Sequence, residues 1–143
     1  MKKLLFLVFI CLLGFYACKK SDLDKTSIKS DSDSNATKII GKWIHIRNVL
    51  LKNTNGVEAI VWDVNVEDPN AYLQINKNGT GNGTGYGKFT YKLSEDSLIL
   101  ITDSIRSVGY KIKTLTVNSL ILHRQEGAEI EGTTYYTDTY LTK

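Results

Sequence analysis

The chain has 143 residues, with 18 Lys and Arg against 15 Asp and Glu, for a formal charge of +3. So even a balance leaves no electrostatic footprint for a nucleic-acid partner. Its two cysteines, Cys11 and Cys18, stand near the start, which rules out a disulfide-built scaffold.

Residues 1–17 read as a signal peptide. Met1-Lys2-Lys3 is a positive start, and Leu4 to Leu13 is an uncharged apolar run. About ten residues suit a signal's apolar region and are too few to span a bilayer as a helix. Ala17 places a small residue just before Cys18. Cleavage there removes Lys2 and Lys3 and no acid, so 16 basic residues face 15 acids in the mature chain. Cys11 leaves with the signal and Cys18 becomes the first residue, so no cysteine remains for a disulfide, a nucleophile or a metal site.

Residues 18–35 are expected to be the modified cysteine and a flexible tether. Ser21 to Asn35 is polar and charged, with only Leu23 and Ile28 apolar. Such a stretch buries too little surface to offset its ordering entropy. As a coil it reaches on the order of 20 Å. Asp31 and Asp33 lack the glycine and terminal Glu of a calcium loop.

Residues 36–143 form one domain, and period-two patterning with regular turn signals predicts that it is all-β. Ile39 to Leu51 is the first strand, ended by Asn55-Gly56. Val57 to Val66 is the second, with Ile60, Trp62 and Val64 on one face. Asp68-Pro69-Asn70 turns the chain into Ala71 to Lys77, closed by Asn78-Gly79. Gly85 to Leu93 alternates Phe89, Tyr91 and Leu93 against Lys88, Thr90 and Lys92. Ser97 to Thr102 follows, its Leu98-Ile99-Leu100-Ile101 run expected to be buried on both faces. Ser107 to Leu115 and Leu120 to Arg124 come next. Gly127 to Gly132 is expected to be a loop before the last strand, Thr133 to Leu141.

Short links imply that each strand pairs with its successor. About eight such strands solve their edge problem by closing into a single antiparallel up-and-down β-barrel. A two-sheet β-sandwich is the alternative.

Two resemblances accompany this reading. Phe15-Tyr16-Ala17-Cys18 resembles the lipobox of bacterial lipoproteins, with Phe15 and Tyr16 departing from the usual small or aliphatic residues. The resemblance implies lipidation of Cys18 by diacylglyceryl and acyl (palmitate-type) chains, and a membrane partner through that anchor. Lys19 after the cysteine lacks the acidic residue that retains some lipoproteins at the inner membrane. The expected location is therefore the cell outer membrane, on either face.

The domain itself is similar to the lipocalin-like domains of Bacteroidetes-type lipoproteins. Ile40-Gly41-Lys42-Trp43 looks like the G-x-W start, and the hairpin Tyr72 to Thr80 and Gly87-Lys88-Phe89-Thr90-Tyr91 continue the pattern. Lipocalins proper also place an arginine over that tryptophan; Arg124 does not match its position. The resemblance implies a barrel that binds a small apolar ligand without enzymatic chemistry.

Strand alternation offers a candidate ligand site. With Trp43 inward, His45 and Arg47 point inward too and could meet a ligand's carboxylate or phosphate. The competing register buries Ile44 and Ile46 and leaves His45 and Arg47 in water. No catalytic residues, metal ligands or cofactor are expected. His45 and His123 are the only histidines, and neither stands in a ligand cluster or beside a patterned serine and acid. Gly79, Gly81, Gly83, Gly85 and Gly87 recur at every second residue without the spacing of a phosphate loop. They read as a hairpin tip running into a strand with one bare face. A filled barrel serving as a structural or protein- or glycan-interaction module is the alternative function, with its surface around Trp62, Tyr135, Tyr136 and Tyr140.

Overall fold

The computed structural model describes residues 31–102 and 106–143. The expected signal peptide, Cys18 and the first part of the expected tether lie outside the described residues. The chain forms α1 (Asp31–Ile39), β1 (Gly41–Thr54), β2 (Val57–Asn65), β3 (Tyr72–Ile75), β4 (Thr80–Gly83), β5 (Gly87–Ser94), β6 (Ser97–Ile101), β7 (Ser107–Leu115), β8 (Ser119–Ile130) and β9 (Thr133–Thr142).

The strands make one antiparallel sheet, ordered β2-β1-β3-β4-β5-β6-β7-β8-β9, and β1 also pairs with β9. That last pairing closes eight strands into a barrel and leaves β2 outside the ring. The sandwich is thereby excluded, because the sheet ends on itself.

Strand alternation fills the barrel. Trp43, Ile75, Leu98, Leu100 and Leu120 are fully buried, and Phe89, Leu122 and Leu141 nearly so. Ile99 does not join them. It is 38% exposed on the outer wall, so the apolar run of β6 is buried on one face only. A barrel of eight strands has a single interior, and every second residue must face away from it.

Four expectations need correction. The tether is shorter than its composition implies, because Asp31–Ile39 is helical. Lys38 stands in its last turn, as the helix dipole favours. Ile39 is fully buried, and Asn35 Nδ2 donates to the Glu95 carbonyl at 3.0 Å, which docks the helix on the β5–β6 turn. Second, the glycine segment contains a strand of its own, β4, rather than a hairpin tip. Third, β8 continues through the expected loop to Ile130, with a register shift between Glu126 and Ile130.

Fourth, β2 and β3 are not partners. Both run antiparallel to the same edge of β1, β3 against Gly41 to Ile44 and β2 against Arg47 to Thr54. They act as one long strand interrupted at 66–71. Asp68 fixes the interruption: its Oδ1 accepts from Asn70 N at 2.8 Å and its carbonyl from Ala71 N at 3.0 Å. Above that break, β1, β2, β8 and β9 rise past their neighbours as a four-stranded flap ordered β2-β1-β9-β8.

Candidate functional site

The two ends of the barrel differ. At the end where the chain enters, Gly41 takes φ +137°, turning α1 into β1. Side chains rarely adopt that conformation, so glycine suits the turn. Trp43 then points into the barrel, and its Nε1–H donates to the Ile39 carbonyl at 2.7 Å. This satisfies a buried indole and caps a carbonyl at the end of α1. Lys143, just past β9, lays its Nζ 4.4 Å from the centroid of the indole and donates to the Lys38 carbonyl at 2.8 Å. Helix, indole and lysine seal this end.

The other end is open. A cavity of about 340 Å³ lies there beneath the flap, between β1, β9 and the β4–β5 turn. Its floor is Leu73, Leu122 and Leu141, and its walls are polar. On one wall His45 Nε2–H donates to Asn48 Oδ1 at 2.9 Å, and Thr139 Oγ1 donates to the same oxygen at 3.2 Å. On the other, Tyr86 meets Tyr110 through their hydroxyls at 2.5 Å. Tyr110 is 5% exposed, and burial pushes its phenol far above the ordinary value.

Behind that pair stands a cation the sequence did not single out for this place. Arg124 reaches within 5.9 Å of the Tyr110 ring and grips Glu126 with both carboxylate oxygens, at 2.6 and 2.7 Å. Register puts Arg124 on the inward face: Leu122, two residues before it, is in the core, and its own partner is Thr137 of the cavity wall.

The three expected site residues separate. Trp43 faces inward but is sealed into the closed end and does not line the cavity. His45 does line it. Arg47 does not. The pairing of β1 with β9 shifts between His45 and Arg47, so Ile46 is an extra residue and the alternation reverses. Arg47 emerges on the outer wall, over the Tyr140 ring at 5.0 Å. There its Nε donates to Asp63 Oδ1 at 2.7 Å and its Nη2 to Oδ2. The guanidinium holds the Asp63 carboxyl below its ordinary value. Neither anticipated register of β1 is correct; the strand uses one on each side of a bulge.

A Cβ on Gly81 would lie 2.3 Å from the Phe89 ring, so that ring occupies the space the glycine leaves on the inner face of β4.

On the outer wall, Asp138 is 3% exposed and accepts hydrogen bonds from two side chains. His123 Nδ1 donates to its Oδ1 at 2.6 Å, and Lys113 Nζ to its Oδ2 at 2.7 Å. His123 stacks on Tyr136 with centroids 4.7 Å apart. Each oxygen of the buried carboxylate thus has a partner at this cross-strand junction of β7, β8 and β9. Among the described residues no group of three or more His, Cys, Asp and Glu is placed to hold a metal ion.

No family model, curated protein or solved structure matches the chain.

Proposed function

We infer that this chain is a lipid-anchored lipoprotein of the cell envelope whose lipocalin-like barrel binds a small ligand, non-enzymatically, in its open mouth. The observation that carries the reading is the asymmetry of the barrel. One end is closed by Ile39, Trp43 and Lys143, and the other holds a cavity of about 340 Å³, inside the usual range of about 300–1,000 Å³ for small-molecule sites. An apolar floor under hydrogen-bonding walls suits an amphiphile: an apolar body over Leu73, Leu122 and Leu141, and a polar end at His45, Asn48, Thr139 and Tyr86. This refines the expectation of a purely apolar ligand.

The lipobox-like Phe15-Tyr16-Ala17-Cys18 supports the anchor, and Gly41 with Trp43 supports the family resemblance. The helix that follows the tether joins the sealed end of the barrel. An anchor upstream of this helix would be joined to the barrel at the end opposite the mouth. The outer membrane is the proposed location.

A dansyl-labelled fatty acid tests the mouth. We expect its fluorescence to rise on binding and Thr139→Trp, which puts an indole into the cavity, to weaken binding at least about tenfold, as a loss of about 1.4 kcal/mol would. Equal affinity in the two proteins, both folded by circular dichroism, would place the probe elsewhere and sink the reading.

A further inference from the structure

β2 is the most exposed strand among the described residues. All nine of its residues are exposed, including Val57 at 70%, Ile60 at 64%, Val64 at 54% and Trp62 at 39%. One edge of β2 pairs with β1, and no strand among the described residues pairs with the other, because β3 continues its line and β4 stops at Gly83. A long apolar edge with unpaired main-chain groups is a template for another strand; β2 lacks the lysine and proline that blunt such edges, and its two acids, Glu58 and Asp63, and its one bulge leave the edge open to a partner that matches them.

The hydrogen bonding of β2 defines what fits. Val66 N donates to the Ile46 carbonyl at 2.9 Å, so Val64 and Val66 turn their main chain toward β1. At the other end the Asn55-Gly56 turn makes Val57 and Ala59 do the same. The register shifts between Leu50 and Leu51, where Ile60 and Trp62 are the partners and Val61 is the extra residue. The main-chain groups facing the free edge are therefore those of Glu58, Ile60, Asp63 and Asn65.

This set is symmetric about the bulge. In an antiparallel pair of two β2 strands, Glu58 faces Asn65 of the second copy while Ile60 faces its Asp63. Every outward group then meets an outward group. On the flap's inner face the same register sets Ala59 against Val64 and Val61 against Trp62. It opposes no like charges, and Asp63 is already neutralised by Arg47. The neighbouring register, two residues away, sets Glu58 against Asp63 twice and breaks the main-chain match at Ile60.

The geometry points to a second copy of this chain as the occupant of the β2 edge, joined in a two-fold antiparallel β2–β2 pairing. The two flaps become one continuous sheet, and the apolar row of Val57, Trp62 and Val64 runs from one barrel to the other. This inference is independent of the ligand reading.

Sedimentation velocity of the full chain in detergent micelles tests it, with two variants at exposed positions outside the core. We expect the native chain to be dimeric. Ala59→Lys with Val64→Lys sets lysine against lysine twice across the pairing and should raise the dissociation constant about tenfold or more. Ala59→Lys with Val64→Glu sets lysine against glutamate twice and should restore the dimer, a rescue that shared micelles cannot mimic. A monomeric native chain, an undisturbed dimer in the double-lysine variant, or no rescue by the lysine–glutamate variant would each overturn the proposal. So would a monomer carrying a strand of another protein on this edge.

Discussion

The indole of Trp43 has its polar and apolar needs met within one end of the barrel. Its ring is fully buried, its N–H is bonded to Ile39, and a cation covers its face. A desolvated cation–π contact contributes about 2 kcal/mol, though Lys143 is exposed and the contribution here is smaller. Lys143 covers the ring from just past the last strand, where strand patterning does not announce it. Arg47 was misplaced for a different reason. Alternation is a rule about regular strands, and one extra residue at Ile46 inverts it without any glycine or proline to announce the change.

Lys113 and Tyr110 set the pH behaviour of the fold. The hydrogen bond to Asp138 raises the Lys113 ammonium above its ordinary 10.5. Burial raises the Tyr110 phenol above its ordinary 10.0. Both groups therefore hold their protons more tightly folded than unfolded. Their contribution to stability is complete below the unfolded values and is lost as pH rises through the folded ones. We expect the urea midpoint to fall once pH exceeds about 10. Lys113→Met should be less stable at pH 8 and show a shallower alkaline decline. A midpoint unchanged up to about pH 12 would contradict this.

Among the elements, β4 shows how composition misleads. Of its Thr-Gly-Asn-Gly sequence only Thr80 favours strands, and the segment is one because its neighbours pair with it. Gly81 and Gly83 face the interior because Phe89 and Tyr86 need the room they leave. Gly81→Ala would force a Cβ to within 2.3 Å of both the Phe89 ring and the Gln74 carbonyl. Neither can yield cheaply, so the cost is about 3 kcal/mol. Gly109→Ala on β7 meets nothing within 4 Å, and thermal unfolding should show it close to neutral. Equal melting temperatures for the two variants would refute the packing account of β4.

β5 and β7 were legible because each has one wet and one dry face. β2 was legible as a strand but not in its facing: the bulge at Val61 puts Ile60 on one side of the flap and Trp62 with Val64 on the other. That β2 and β3 share one edge of β1 was not legible, since the rule pairing neighbours assumes strands of similar length. β1 has 14 residues, while β3 and β4 have 4 each. A long strand beside short ones must leave part of its edge to another partner.

At the scale of the whole molecule, the same inequality of strand lengths shapes the site. The short strands make a low wall, and the long β1, β8 and β9 make a high one, so the cavity opens under the flap rather than along the barrel axis. The barrel could be read from patterning. The cavity could not, because it depends on which inward positions are small or polar at one level of the barrel: Asn48, Thr84, Thr137 and Thr139. These residues stand on three separate segments, and only the register of the closed sheet brings them together. Arg124 entered the same region through a register that no local pattern encodes.

Native mass spectrometry of the protein purified from its own host's envelope tests the central claim most directly. The account predicts two added masses. One is covalent, survives denaturation and maps to Cys18, as diacylglyceryl and acyl chains would. The other belongs to a small amphiphile, is reproducible, leaves on denaturation, and is absent from Thr139→Trp. A barrel that carries no reversible mass, and gains none after exposure to the host's lipid extract, would contradict ligand binding in the mouth.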